Sequence, residues 1–185
     1  MEIHDAIELL RSAIGSDAGV WADLVAGTGT FTRALVETLG PGSTVYAVDA
    51  NQSAVRALAE LAARDARIIS VEADFTRALE LPGLREPLDG ILLANALHFV
   101  RDAEDVLARC VSNVRPGGRV IIVEYDRRDA DRWVPHPISA SRWPKLAMAA
   151  GLTNATITAT RASAYSGMLY VGAAMRPHQA DLRIN

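Results

Sequence analysis

The feature that most constrains this chain is the segment Asp23-Leu24-Val25-Ala26-Gly27-Thr28-Gly29. It follows an apolar run, Val20 to Val25, that reads as a short buried strand, and it precedes Phe31 to Leu39, which has helical periodicity. A strand that passes through a glycine-rich turn into a helix exposes backbone N–H groups at a helix start. A nucleotide-like ligand is held at such a place. Gly27 and Gly29 let the chain approach a ligand without a Cβ in the way.

The rest of the chain repeats that strand-then-helix alternation. A helix is predicted over residues 4–14, ending across Gly15 to Gly19. Gly40-Pro41-Gly42 stops the helix after the first strand, and Thr44 to Val48 form a second strand. Asn51 is placed to cap a helix through Arg64, and Arg67 to Val71 form a third strand. Leu88 to Ala94 are a fourth. A helix follows over Asp102 to Val114, with Asp102 as its cap. Pro116-Gly117-Gly118 is expected to be a tight turn into a fifth strand, Arg119 to Glu124. Continuous apolar strands of this kind belong to a parallel sheet covered on both faces.

After Asp126 the pattern changes to a polar loop through Pro137, a helix over Ser139 to Ala150, and two strands at Thr153 to Thr160 and Met168 to Ala174. Their connection is too short for a helical crossover, so they are expected to pair antiparallel. The expectation is therefore a Rossmann-like α/β fold, with a seven-stranded, mostly parallel sheet closed by an antiparallel C-terminal pair. Its 185 residues suit one domain, 1–185: an N-terminal helical lid element over 1–19, a ligand-binding core over 20–125, and a C-terminal part over 126–185.

Charge and cysteine content narrow the function. The net charge is -3 and no basic run is long enough for a nucleic-acid or membrane footprint, so neither partner is expected. Cys110 is the single cysteine, which excludes an internal disulfide and reads as a small core residue. No Cys/His cluster has metal-ligand spacing, and no metal is expected. The N-terminal residues show no signal-peptide pattern and no run reaches 18 apolar residues, so a cytoplasmic location is expected.

Two acids bear on the ligand. Asp49 ends the second strand, twenty residues after Gly29, where a carboxylate accepts hydrogen bonds from ribose hydroxyls. That pair fits either a dinucleotide or another adenosine-containing cofactor. Asp74 ends the third strand, followed by Phe75, and Asp23 precedes the glycines inside the first.

Taken together, five blocks in order resemble the class I S-adenosylmethionine-dependent methyltransferases, of the small-molecule type, over nearly the whole chain. They are Asp-Leu-Val-Ala-Gly-Thr-Gly; Val-Tyr-Ala-Val-Asp-Ala; Glu-Ala-Asp-Phe; Ile-Leu-Leu-Ala-Asn-Ala-Leu-His-Phe-Val; and Val-Arg-Pro-Gly-Gly-Arg-Val-Ile-Ile-Val-Glu. The resemblance implies S-adenosylmethionine as cofactor, bound by Asp23, Val25, Ala26, Gly27, Gly29, Asp49, Ala50, Asp74, Phe75, Asn95 and Ala96. Asp49 would take the ribose, Asp74 the adenine amino group, and Phe75 would flank the ring. One departure is Val25, where the family commonly has a small residue, often glycine. A β-branched side chain there narrows the space beside the cofactor.

Ligands of an open α/β sheet bind beyond the carboxyl ends of its strands. The residues aimed there are Asn95 to His98 and Glu124 to Asp126. His98 is the candidate general base, with a packed, hydrogen-bonded histidine as the alternative. Tyr125 is a second catalytic candidate. His98, Tyr125, Trp133 and His136 are expected to face a small-molecule acceptor, with Trp143 anchoring its helix. The segments 1–19 and 126–140, or a second subunit in a homodimer, would cover that acceptor. Two other readings compete: a non-catalytic methyltransferase-like module acting through a partner, and a nicotinamide oxidoreductase, which leaves Asp74 and the closing strands unexplained.

Overall fold

In the computed structural model, residues 1–15, 18–163 and 167–178 are described. Parts of the expected helix end at Gly15 to Gly19 and of the last strand connection lie outside them. The elements run α1 (Ile3–Arg11), β1 (Val20–Leu24), α2 (Thr30–Leu39), β2 (Thr44–Asp49), α3 (Gln52–Ala62), β3 (Ile68–Glu72), β4 (Leu88–Ala94), a 3₁₀ turn (Leu97–Phe99), α4 (Ala103–Ser112), β5 (Val114–Tyr125), α5 (Trp143–Ala149), β6 (Thr153–Ala162) and β7 (Met168–Met175). All seven strands join one sheet in the order β3-β2-β1-β4-β5-β7-β6. The first five are parallel, and β7 pairs antiparallel with both β5 and β6.

The order reverses between β1 and β4, and a ligand crevice opens at such a point. Strands β1, β2, β4 and β5 carry apolar side chains to both faces, because helices cover both. One buried layer joins Leu97, Val106, Leu107, Trp143 and Leu146 to the sheet, and the other joins Leu9, Leu10, Leu35 and Leu58. Trp143 is fully buried, as its anchoring role requires. A Cβ at Gly172 would press on its indole.

Local chemistry explains most boundaries. Asn51 caps α3, its Oδ1 accepting from the backbone N–H of Ser53 and Ala54 at 2.9 and 3.3 Å. Gly40 ends α2 at a positive φ of 74°, which a residue without a Cβ adopts freely. Three expectations are corrected. Asp102 sits at the start of α4 but makes no capping hydrogen bond. Pro116 to Gly118 lie inside β5 rather than in a turn before it, and the pairing with β4 skips from Leu88–Val114 to Gly90–Arg119. Gly117 N–H donates to Arg176 and Arg176 N–H to the Gly118 carbonyl, so the far strand holds the bulge flat. The helix expected from Ser139 begins only at Trp143, because Pro144 supplies no N–H and fits only the first turn.

Of the segment 1–19, expected as a lid element, residues 1–15 form a packed helix with its following turns. Ala6, Leu9 and Leu10 are buried, and Asp5 and Glu8 pair with Arg161 of β6 at 2.5 and 3.5 Å. No described helix is long and apolar enough to cross a membrane.

Candidate active site

The loop after β1 is held by two hydrogen bonds. Val25 and Ala26 N–H both donate to the Val48 carbonyl of β2, each at 2.9 Å. This forces Val25, Gly27 and Gly29 into positive φ, at 69°, 56° and 86°. For Val25 that conformation is strained, because its branched Cβ crowds its own backbone. The sequence departure at this position is thus a backbone matter as well as a question of space. A Cβ at Gly27 would meet nothing within 4 Å, so open space lies before the loop there. One at Gly29 would collide with Leu61 of α3.

Asp49 braces this loop. Its Oδ2 accepts from Gly27 N–H at 2.9 Å and its Oδ1 from Asn51 N–H at 2.8 Å. It is 7% exposed, while its neighbour Ala50 is open to solvent. Asp23 is fully buried on β1, where the Thr32 hydroxyl donates to its Oδ2 at 2.6 Å and its Oδ1 has no hydrogen-bond partner. Burial pushes this carboxyl up to about 7; the Thr32 hydrogen bond opposes the shift and the Asp49 charge adds to it.

Beyond β3, the Asp74 Oδ1 accepts from the Thr76 N–H and hydroxyl at 2.9 and 2.7 Å, and Arg77 lies 3.4 Å from Oδ2. The Thr76 hydrogen bonds, with a smaller contribution from Arg77, hold Asp74 below the usual carboxylate range. Phe75 is half-buried against the core, and its carbonyl accepts from the Cys110 thiol at 3.8 Å. Cys110 is buried and its thiol pushed up to about 12, so it is a packing residue. At the end of β4, Asn95 takes φ 53° while its N–H donates to Val123 at 2.7 Å. Its Oδ1 is buried without a partner, and Ala96 is fully buried beside it.

The four acceptor-facing candidates divide. His98 is only 2% exposed, and its Nδ1 lies 2.5 Å from Glu124 Oε2. Tyr125 and Trp133 line a cavity of about 780 Å³ at the carboxyl end of β5, with Asp126, Arg127, Asp131, Val134 and Met168 among its other walls. His136 does not line it; its N–H donates to the His98 carbonyl at 2.9 Å, tying the loop to the 3₁₀ turn. Asp131 shapes the loop. It accepts from Trp133 and Val134 N–H at 2.8 and 2.7 Å and pairs with Arg127 at 2.8 Å.

Thr32 and Asp131 were missed as structural partners of the site, and Glu124, placed at the sheet edge from the sequence, was not foreseen as the partner of His98. A carboxylate ending the otherwise apolar run Val120 to Val123 was the available signal for Glu124. Among the described residues no group of three or more His, Cys, Asp or Glu could hold a metal ion.

The site suits a cationic, adenosine-bearing cofactor. Two buried acceptor oxygens, on Asp23 and Asn95, lack donors at the carboxyl ends of the adjacent strands β1 and β4. The space before Gly27 is open, and Asp49 is held in place beside it.

The comparisons with known proteins agree. A family model described as a methyltransferase domain matches residues 22–120, more than half of the chain. The demethylmenaquinone methyltransferase of Geobacillus sp. (strain WCH70) is 28% identical over 102 residues, which is 55% of this chain and 43% of that protein. The chain thus spans less than half the length of this relative. The Burkholderia thailandensis 1,6-didemethyltoxoflavin-N1-methyltransferase, solved with bound 1,6-didemethyltoxoflavin and S-adenosylhomocysteine, is 24% identical with a TM-score of 0.71, covering 95% of this chain and 78% of that one. A SAM-dependent methyltransferase from Aquifex aeolicus, 15% identical, superposes with a TM-score of 0.67 over 95% of this chain and 99% of that one. With five sequence blocks in order, the strand order and the matching domain, the chain belongs to the class I S-adenosylmethionine-dependent methyltransferases.

Proposed function

We propose that this protein transfers a methyl group from S-adenosylmethionine to a small molecule held in the cavity beside Tyr125 and Trp133. The observation that carries the reading is the Asp49–Gly27 hydrogen bond, which fixes a carboxylate beside open space at the sheet's switch point. S-adenosylmethionine supplies an activated methyl group on a good leaving group, so the protein's task is alignment and exclusion of water.

Asp49 would bind the ribose, Asp74 and Phe75 the adenine, and the backbone of residues 25–29 with Asn95 the remainder. Asp23 sits below that loop. The cavity volume is in the range that holds a drug-sized ligand, and Trp133 is part of its wall. Tyr125 touches the acceptor in this reading. His98 does not line the cavity; paired with Glu124, it holds the turn beneath rather than taking a proton.

The test is calorimetric titration of the chain with S-adenosylmethionine and S-adenosylhomocysteine, followed by transfer of a labelled methyl group to a panel of flat heteroaromatic acceptors. Binding of both and labelling of one acceptor support the proposal. Absence of binding overturns it.

The strain at Val25 favours a second reading, a domain that binds the cofactor weakly and acts through a partner. Turnover with any acceptor excludes it.

A further inference from the structure

Methyl transfer from a sulfonium moves a positive charge. The acceptor's electron pair forms a bond to the methyl carbon, the bond from that carbon to sulfur breaks, and its electron pair stays on sulfur as a neutral thioether. A phenolate or enolate acceptor ends neutral, because its own charge cancels the one it receives. A neutral nitrogen acceptor ends cationic. Charges fixed around the acceptor therefore favour one class over the other. Cations suit the first, and anions stabilise the charge that develops on the second.

The acceptor cavity lies one strand across the sheet from Asn95. The Asn95 N–H donates to the Val123 carbonyl at 2.7 Å, which sets the end of β4 beside the stretch of β5 that leads to Tyr125 and Asp126. The charged side chains lining the cavity are three carboxylates, of Asp126, Asp129 and Asp131, and one guanidinium, of Arg127. That guanidinium is already matched, its Nη1 donating to Asp131 Oδ2 at 2.8 Å. The other two carboxylates have no cation paired with them among the described residues. Asp126 Oδ1 accepts the Ala140 N–H at 2.9 Å, which fixes the side chain at the cavity, and Asp129 has no hydrogen bond among the described residues. On the same wall the Trp133 indole carries a cation over its ring, the Arg132 guanidinium 4.6 Å from its centroid. The cavity as built thus meets positive charge and leaves two negative charges unmatched.

We propose that the acceptor is methylated on a neutral nitrogen, an amine free base or the ring nitrogen of a flat heteroaromatic, and that Asp126 and Asp129 stabilise the cation this produces. The proposal rests on the reading of this cavity as the acceptor site. The nitrogen lone pair makes the N–C bond, the thioether leaves, and the positive charge arrives beside two unmatched carboxylates. Where the nitrogen carries a hydrogen, its proton then passes to solvent, so no general base has to act before transfer. The same carboxylates repel a phenolate. Both are exposed, so salt screens their effect.

Calorimetry on the full chain saturated with S-adenosylhomocysteine tests this. N-methylquinolinium stands for a methylated product, and 1-naphthoate is an anion of similar size. The cation is expected to bind about tenfold tighter at low ionic strength, a preference that shrinks above about 0.5 M salt. Combining Asp126→Asn with Asp129→Asn is expected to abolish the preference and to leave the Kd for S-adenosylhomocysteine unchanged, which also shows that the variant folds. No binding of the cation, tighter binding of 1-naphthoate, or a preference that the double variant keeps overturns this proposal alone. So does transfer of a labelled methyl group to 1-naphthol in preference to quinoline. A folded chain that binds no S-adenosylhomocysteine overturns it together with the reading it rests on.

Discussion

Glu124 of β5 joins both the ring and the backbone of His98: its Oε2 lies 2.5 Å from Nδ1, and its Oε1 accepts from the N–H groups of Leu97 and His98 at 2.9 and 3.3 Å. Both side chains are buried. One carboxylate therefore closes the turn after β4, the strand end that carries Asn95.

The first prediction concerns this pair. Removing one partner of a buried hydrogen-bonded pair leaves the other unsatisfied, at a cost of about 1–3 kcal/mol. Glu124→Ala is expected to lose that much in chemical denaturation. A double substitution with His98→Leu is expected to be less destabilised than the sum of the singles, because the unmet group is gone as well. Additive losses would mean that the two side chains do not act as a unit.

Asp49 is expected to carry cofactor affinity. Asp49→Ala deprives Gly27 and Asn51 N–H of their acceptor and removes the ribose partner. The expected loss is about 2 kcal/mol, roughly thirtyfold in Kd for S-adenosylhomocysteine by calorimetry. An unchanged Kd would remove Asp49 from the binding surface.

Val25→Gly relieves a positive-φ strain of about 1–3 kcal/mol and removes a partly buried side chain. These terms oppose one another in stability, so the melting temperature is expected to change little. Affinity for S-adenosylhomocysteine is expected to rise, because the loop then reaches its conformation without strain. A weaker Kd in the variant would show that the valine side chain contributes contact rather than crowding.

Asp23 imposes a pH dependence on folding. Its carboxyl stands at about 7 in the native state, against an ordinary value of 3.8. Between those values the native state binds more protons than the unfolded chain, so stability attributable to this group falls as pH rises from about 4 to 7 and then levels off. The wild-type minus Asp23→Asn difference in unfolding free energy is expected to fall across that interval. A level difference would place the native carboxyl at its ordinary value.

Trp133 is expected to serve the acceptor alone. It is 66% exposed on the cavity wall, and its ring is held by the Arg132 guanidinium at 4.6 Å. Trp133→Ala is expected to leave the cofactor Kd unchanged and to raise KM for the acceptor about tenfold, the worth of a lost aromatic contact of about 1.4 kcal/mol.

Much of this architecture is legible in the residues, for a physical reason. Strands buried on both faces need continuous apolar runs, and Val45 to Val48 or Ile91 to Leu93 have no other home than a covered parallel sheet. Glycines and acids at strand ends mark the ligand edge, which is why Gly27 and Asp49 could be paired before any coordinates. Features that depend on distant chain were hidden. The bulge at Pro116 to Gly118 is set by Arg176, sixty residues on, and the Asp102 side chain makes no cap although its sequence position suits one. The pairing of His98 with Glu124 spans two strands, so periodicity could place each residue at the sheet edge without showing that they meet. The positive φ of Val25 follows from Val48, which draws two successive N–H groups to one carbonyl.

The central claim is that the carboxyl edge between β1 and β2 binds a methyl donor. Its most direct test is the calorimetric titration of S-adenosylmethionine into the full chain and into Asp49→Ala. The account predicts micromolar binding to the wild type, competed by S-adenosylhomocysteine and weakened about thirtyfold in the variant. No heat of binding to a folded wild-type chain, or equal affinity in both proteins, would contradict it.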